Sequence, residues 1–233
     1  MIANPIDMTT NIGTLNEKSL HADLKKQYAQ PGDRVEQEVD GYIIDIVRKK
    51  ELIEIQSRNF SNIKSKIYKL CSNHKFHLIH PISREKWIVK SDANGNEVGR
   101  RKSPRRGRVE NMFKELRYIP DIVANDNFSL EVVLIHSEEH LIDDGKGSWR
   151  RKGWSIADQK LIKIHQSINF RSLSDYSALI PDAVGTEWTN RDLASSLNLN
   201  FKITQNMTYC LRVMGAIEKV GQSGNSFIYS VLT

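Results

Sequence analysis

Two carboxylates and a glutamine on neighbouring predicted strands are the residues best suited to chemistry. Residues 39–47 read VDGYIIDIV and residues 52–56 read LIEIQ, and both segments are rich in the β-branched residues typical of strands. The polar residues 48–51 predict a turn, and folding the chain about Lys49 and Lys50 places Asp45 opposite Glu54. Gln56 shares the face of Glu54 because side chains alternate along a strand.

Facing carboxylates in an apolar setting require a neutralising partner, because like charges directly opposite each other destabilise a strand pair. Mg²⁺ prefers oxygen ligands and is commonly held by one or two carboxylates together with water and substrate phosphate. Phosphodiester hydrolysis needs such an ion to polarise the phosphate and to generate hydroxide near neutral pH. The pair therefore predicts a site for Mg²⁺, or Mn²⁺, at Asp45 and Glu54.

Two other interpretations of these carboxylates remain open. Solvent-facing residues of a half-exposed strand also produce alternation, and they need no metal. Asp40 is a rival for Asp45, since it lies in the same predicted strand. Its use would require a turn centred on Val47, inside the apolar run, so Asp45 is preferred.

The segment from about residue 14 to residue 80 resembles the PD-(D/E)xK, or restriction-endonuclease-like, nuclease superfamily. The resemblance is carried by Asp45, by Glu54-Ile55-Gln56 on the next strand, and by Arg58 before a helix, in helix-strand-strand-helix order. It implies an α/β core with a mixed sheet flanked by helices. It also implies that a glutamate on the first helix, Glu17, is a third metal ligand beside Asp45 and Glu54.

The chain departs from the family pattern at Gln56, where the family has a lysine. Glutamine is uncharged and cannot act as an ammonium group, although it can orient a water or a phosphate. Lys64 on the next helix, or Lys18, is a candidate to supply the missing cation. A nuclease fold that has lost catalysis explains the departure equally well.

Two clusters of basic residues predict contacts with nucleic-acid phosphates, because cations supply most of the non-specific affinity for DNA. Aromatic residues within the second cluster are suited to stacking on unpaired bases, although they also serve to anchor a solvated loop. The first cluster comprises Arg100, Arg101, Lys102, Arg105, Arg106 and Arg108; the second comprises Lys146, Arg150, Arg151 and Lys152, interleaved with Trp149 and Trp154.

The last part of the chain, about residues 170–233, resembles a winged-helix domain. Residues 189–197 and 204–214 predict two helices joined by a short turn, and residues 217–231 predict a hairpin. In that fold the second helix enters the major groove of DNA, although winged helices also bind proteins. Trp188 and Tyr209 are predicted to lie in the core. The predicted exposed residues of the second helix are Lys202, Thr204, Gln205, Asn206, Thr208 and Arg212.

Composition and hydropathy predict a globular intracellular protein. The 233 residues carry a formal net charge of +6 and two widely separated cysteines, which implies no disulfide framework. The N-terminus lacks the pattern of a signal peptide, so we expect a soluble, cytoplasmic and nucleoid-associated protein. The predicted organisation is a flexible tail (1–13), a nuclease-like domain (14–154), a connecting helix (155–169) and a winged-helix domain (170–233).

The function predicted from these features is a metal-dependent DNA endonuclease with a winged-helix module for DNA binding. Its catalytic residues would be Glu17, Asp45, Glu54, Gln56 and Lys64. One alternative is a catalytically inactive DNA-binding or regulatory protein built on the same fold. Another is the nuclease subunit of a defence or mobile-element complex, with DNA, a second copy or other proteins as partners.

Overall fold

A computed structural model describes residues 19–147, 149–151 and 153–232. Most of the chain forms a mixed seven-stranded sheet in the order β1-β2-β3-β4-β6-β7, with β5 paired to the outer half of β4. The strands of the sheet are β1 (Arg34–Val39), β2 (Tyr42–Arg48), β3 (Glu51–Ile55), β4 (Lys75–Ser91), β5 (Glu97–Lys102), β6 (Phe128–Asp143) and β7 (Trp154–Phe170).

Two helices cover opposite faces of the sheet near β3. Helix α1 (Ser19–Tyr28) buries Leu20 and Leu24 against one face, and α2 (Phe60–Cys71) buries its apolar stripe against the other. Further along the chain, a 3₁₀ turn (Val109–Met112), α3 (Phe113–Leu116) and a second 3₁₀ turn (Pro120–Ala124) extend the layer on the α2 side.

The register of the β2–β3 hairpin is the one that the sequence predicts. The antiparallel ladder pairs Ile46 with Ile53 and Val47 with Leu52. Strand β3 then runs parallel to β4, with Glu54 beside Leu78. Because side chains alternate, Leu52 and Glu54 share the α2 face, whereas Ile53 and Ile55 pack beneath α1.

The predicted strand 39–47 is wrong at its beginning, where the chain turns. Asp40 and Gly41 both have positive φ, 51° and 83°, and they connect Val39 of β1 to its partner Tyr42 of β2. Asp-Gly is a favoured sequence for such a two-residue hairpin turn. The rival carboxylate Asp40 therefore lies at a turn, 2.8 Å from Nε2 of His74.

The predicted connecting helix 155–169 is also wrong, because this segment is the long strand β7. Its residues pair antiparallel with β6 from Leu130–Phe170 to Asp143–Trp154. Irregularities in the pairing with β6 interrupt the alternation, so Ile168 and Phe170 pack on the α2 side whereas Leu161 packs on the α1 side. The open edge of β6 supplies backbone partners that local sequence does not reveal.

The C-terminal segment forms a small unit with a three-stranded antiparallel sheet in the order β8-β10-β9. The side chain of Thr189 accepts hydrogen bonds from the first turn of α5 and receives a reciprocal cap from Asp192. The elements of the unit are α4 (Leu173–Ser177), a 3₁₀ turn (Asp182–Val184), β8 (Trp188–Thr189), α5 (Asn190–Leu197), α6 (Phe201–Met214), β9 (Ile217–Ser223) and β10 (Ser226–Val231).

One hydrophobic core joins this unit to the sheet. Trp188 and Leu211 belong to the same buried cluster as Phe113, Leu116 and Phe170, so packing continues across the boundary predicted near residue 170. None of the helices in the described part of the chain is long and apolar enough to cross a membrane.

Candidate active site

The carboxylate of Asp45 lies where β2 and β3 separate. The recorded ladder between these strands stops at Ile46–Ile53. One oxygen of Asp45, Oδ2, accepts a hydrogen bond from the Ile55 N–H at 2.8 Å and lies 3.0 Å from Nε2 of His21 on α1. Burial raises the pKa of Asp45, but His21, the Ile55 N–H and Lys25 together hold that pKa below its ordinary value.

Glu54 lies on the α2 side of the sheet and contacts a lysine of that helix. Nζ of Lys66 lies 2.5 Å from Oε1 of Glu54, and it also donates to the Ile43 carbonyl at 2.6 Å. The second oxygen, Oε2, is buried and has no hydrogen-bond partner among the residues that the structure describes. Burial and the charge of Asp45 raise the pKa of Glu54 to about 7, although Lys66 opposes both effects.

The charge of Asp45 contributes to the raised pKa of Glu54, but the two carboxylates contact different helices, which lie on opposite faces of the sheet. Among the described residues, Oε2 of Glu54 has no hydrogen-bond partner, and Oδ1 of Asp45 lies 3.9 Å from Nζ of Lys25. Two such oxygens fit the oxygen preference of Mg²⁺. No group of three or more potential metal ligands occurs among the residues that the structure describes. Glu17, the predicted third ligand, lies outside those residues.

Gln56 does not direct its amide toward Glu54 or Asp45. Its Nε2 donates to the Arg58 carbonyl at 2.6 Å, its main-chain N–H donates to Ile79, and its carbonyl accepts from Nδ1 of His80 at 2.7 Å. Burial lowers the pKa of His80, so the ring is neutral and donates from Nδ1. These bonds fix the end of β3, and Arg58 lines a cavity beside it.

The lysine of α2 that contacts Glu54 is Lys66, whereas the sequence prediction favoured Lys64. Lys64 is exposed, and its Nζ lies 5.4 Å from the centre of the Tyr68 ring. Lys18, the other lysine considered, lies outside the described residues. A sequence signal for Lys66 exists, since it follows Ile63 by three residues and precedes Leu70 by four, within the apolar stripe of α2. A lysine in such a stripe needs a buried partner.

Residues of the first basic cluster are divided between ion pairs and free cations. Arg100 contacts Glu138 at 2.6 Å, Lys102 contacts Glu85 at 2.7 Å, and Arg108 contacts Glu110 at 2.7 Å. No acidic partner is recorded for Arg101 or Arg105 within the described ranges, and Arg106 lies 3.7 Å from Glu85. The three residues in these ion pairs are less available to bind phosphate than the sequence suggested.

The second basic cluster is only partly described. Arg151 donates from Nε to the Trp154 carbonyl, and the ring of Trp154 lies 4.3 Å from Nζ of Lys90. Trp149 is 82% exposed, whereas Trp154 is half-buried, as an anchoring residue would be. Lys152 lies outside the described residues; Arg150 belongs to a 3₁₀ turn, and Lys146 lies in the connector before it.

The predicted exposed face of α6 is partly wrong. Thr204, Asn206 and Thr208 are buried, because 204 and 208 lie one helical turn apart on the side that carries the apolar core residues. Lys202, Gln205 and Arg212 are exposed as predicted. Tyr209, predicted to be in the core, is 45% exposed, whereas Trp188 is buried as predicted.

A second buried polar cluster was not predicted from the sequence. Glu131 on β6 accepts hydrogen bonds from the Tyr28 hydroxyl at 2.5 Å and from Ser167, and it lies 2.8 Å from Nε2 of His77. Burial raises the pKa of Glu131, but these bonds outweigh burial and lower it to about 2. Nδ1 of the same histidine lies 2.8 Å from the Ser129 hydroxyl. The cluster packs on the face of the sheet opposite to Lys66 and stabilises the contact of α1 with that face.

Comparison with known proteins gives a family but no activity. Residues 18–171 match a family described as a domain of unknown function, DUF8091. This segment contains the whole seven-stranded sheet and ends before α4. An uncharacterized protein of Treponema pallidum (strain Nichols) is 33% identical over 162 residues, which are 69% of this chain and 64% of that protein. The match thus spans less than two thirds of that relative, and no solved structure matches the chain.

Proposed function

The chain belongs to the DUF8091 family, and we propose that it is a metal-dependent DNA endonuclease. The observation that carries the proposal is the position of Asp45 and Glu54 on adjacent strands of one hairpin, with Oε2 of Glu54 buried and without a hydrogen-bond partner among the described residues. A buried carboxylate oxygen without a partner is costly unless something binds it. A divalent cation is the partner that best fits two neighbouring carboxylates.

The order of elements supports the same proposal. The helix α1 is followed by the antiparallel strands β1, β2 and β3, of which the last two carry both acids, and then by the helix α2 and the strand β4, which runs parallel to β3. This order agrees with the resemblance to the PD-(D/E)xK nucleases.

Asp45 and Glu54 would hold Mg²⁺ or Mn²⁺, with Glu17 as the third ligand that the resemblance implies. When bound, such an ion polarises a phosphate and lowers the pKa of a coordinated water. His21 and the Ile55 N–H occupy Oδ2 of Asp45 and so orient Oδ1 outward from that contact. The Lys66 ammonium has three protons and uses two, on Glu54 and Ile43, which leaves one for a substrate oxygen. Lys66 thus takes the role expected of a lysine at position 56.

The C-terminal unit supports DNA as the substrate. Its order α4-β8-α5-α6-β9-β10 and its strand order β8-β10-β9 agree with the resemblance to winged-helix domains. The exposed side of α6 carries Lys202, Gln205 and Arg212, which are residue types that contact phosphates and base edges. We propose that this helix enters the major groove of a duplex.

A second candidate function is a catalytically inactive DNA-binding or regulatory protein. The observation that favours it is that Lys66 on Glu54, and His21 with Lys25 on Asp45, already compensate both carboxylates without a metal. Gln56 in place of lysine points the same way. A nuclease subunit that cuts only within a defence or mobile-element complex would share the first mechanism but require its partners.

Nicking of supercoiled plasmid DNA separates the two candidates. The wild-type protein should nick with Mg²⁺ or Mn²⁺ and not with a chelator, and Asp45→Ala and Glu54→Ala should each abolish nicking. Glu38→Ala is the matched control, because Glu38 is an exposed acid of the neighbouring strand β1. Tight DNA binding without nicking in either metal would favour the inactive protein.

A further inference from the structure

We propose that the groove between the seven-stranded sheet and α6 binds an unpaired nucleic-acid strand. The inference rests on the proposed function in so far as it names the substrate class of that nuclease, which is DNA with a single-stranded segment. The groove has a volume of about 990 Å³. The cations that line it come from the sheet, from the α3 region and from α6: Lys86, Arg105, Arg106, Lys114, Arg117 and Lys202.

Two of the six cations in the groove have acidic neighbours: Lys86 contacts Glu139 at 2.8 Å, and Arg106 lies 3.7 Å from Glu85. No acidic partner is recorded for Arg105, Lys114 or Lys202 within the ranges that the structure describes. Glu115 is the one acid in the described lining, and its carboxylate accepts the Phe60 N–H at 3.1 Å. The cations without acidic partners attract phosphates, and the release of counterions supplies the affinity.

An exposed aromatic ring beside these cations favours an unpaired strand over a duplex. Tyr118 lines the groove and is 37% exposed. The guanidinium of Arg117 lies 4.7 Å from the centre of its ring and donates to its hydroxyl, while Nε of Arg117 is buried without a partner. Aromatic side chains bind single strands by stacking on bases. In a duplex the base faces are covered by their neighbours, so this contact needs an unpaired base.

The walls of the groove are held rigidly. Gly107 approaches β4 so closely that a Cβ there would lie 2.4 Å from the Ser83 carbonyl oxygen, and its N–H donates to that oxygen. The next residue, Arg108, donates to the Leu197 carbonyl at 2.6 Å and so ties the same loop to the C-terminal unit. The main-chain segments on both sides of the groove are therefore held together, which lowers the entropy that these segments lose on binding.

The groove continues toward the end of β3. It shares Ser83, Asn111 and Lys114 with the neighbouring cavity, which is lined by Arg58 and His80. His80 hydrogen-bonds to Gln56, two residues beyond Glu54. A strand lying in the groove would thus lead to the end of the strand that carries Glu54.

Equilibrium binding of a short single-stranded DNA oligonucleotide and a blunt duplex, without divalent cations, tests the proposal. Replacing Arg105, Lys114 and Lys202 by alanine should weaken single-strand binding at least about tenfold and reduce the slope of log K against log salt by about 2. The control removes equal charge at the opposite end of β3 and β4, with Lys49, Lys50 and Lys75 replaced by alanine, and should change affinity by less than about threefold.

Tyr118→Ala should weaken single-strand binding about 5- to 100-fold while leaving duplex binding unchanged, and Tyr118→Phe should retain most of the single-strand affinity. RNA of the same sequence shows whether the strand is DNA alone or either nucleic acid. Equal losses in the groove and control variants, equal losses of Tyr118→Ala on both DNA forms, or no single-strand binding by the wild type would overturn the proposal. Absence of plasmid nicking together with the expected binding losses would support single-strand binding in the groove and contradict the proposed nuclease activity.

Discussion

Nζ of Lys66 lies 2.5 Å from Oε1 of Glu54, while the other oxygen of the same carboxylate is buried without a hydrogen bond. Oε1 is thus compensated by a lysine of a helix that packs on the sheet, whereas Oε2 can still accept a hydrogen bond or bind a cation. This asymmetry distinguishes Glu54 from an ordinary buried ion pair, in which both oxygens are normally satisfied. The predictions on Lys66 and Glu54 below depend on this difference between the two oxygens.

The lysines of α2 should differ sharply in their effect on nicking. Lys66→Ala removes the cation beside Glu54 and should lower the nicking rate about 100-fold or more, in line with the loss of one charge-stabilising group. Lys64→Ala, on the same helix but exposed, should nick at the wild-type rate. Single-turnover nicking at saturating protein measures both. Equal rates for the two variants would exclude Lys66 from the mechanism.

Glu54 should make stability without metal depend on pH in an unusual direction. Its pKa in the fold, about 7, lies above the ordinary 4.5, so the folded protein binds the extra proton and loses stability as pH rises between these values. Glu54→Gln does not titrate between these pH values, so its urea midpoint relative to that of wild type should rise over the same range.

Divalent cations should raise the melting temperature of wild type but not of Glu54→Gln. A wild-type midpoint that rises relative to the variant would contradict this account.

Glu131 should stabilise the fold in the opposite pH direction. Its pKa of about 2 lies below the ordinary 4.5, so its contribution is present above pH 4.5 and is lost as pH falls toward 2. Glu131→Gln should lower the free energy of unfolding at neutral pH by about 2 kcal/mol, and the difference from wild type should shrink in acid. The control is Glu138→Gln on the same strand, whose more exposed ion pair with Arg100 should contribute less than about 1 kcal/mol. Urea unfolding at several pH values measures both.

Gly107→Ala should disturb the loop that joins the sheet to the C-terminal unit. The added Cβ meets a main-chain oxygen of Ser83, which cannot rotate away, so we expect a loss of about 1–3 kcal/mol in unfolding free energy. Gly99→Ala is the matched control, because nothing lies within 4 Å of a Cβ at that position. Thermal unfolding of the two variants should therefore separate clearly, and equal melting temperatures would argue against the tight contact.

The features that the sequence predicts correctly are those set by neighbouring residues. The β2–β3 register follows from a short polar turn between two apolar segments, and α5 (Asn190–Leu197) lies within the segment 189–197 that predicts a helix. The same local rule explains one error in the prediction. Asp40-Gly41 is a favoured turn sequence, but it was included in a strand because apolar residues continue after it.

The features that the sequence does not predict depend on distant partners. Ile156, Leu161, Ile164 and Ile168 fit a helical stripe, and only pairing with β6 makes the segment a strand. The choice of Lys66 over Lys64 depends on how α2 rotates over the sheet.

The shared core has a consequence for how such chains can evolve. The family match ends at residue 171, yet Phe113, Leu116 and Phe170 are covered by residues from beyond that point, including Leu211. A chain that ended there would expose an apolar surface. A gene rearrangement that replaced the C-terminal unit would therefore give a stable protein only if the new domain had an apolar face of matching shape. Recombination at this junction is therefore constrained by shape as well as by reading frame, unlike the exchange of domains joined by a flexible linker.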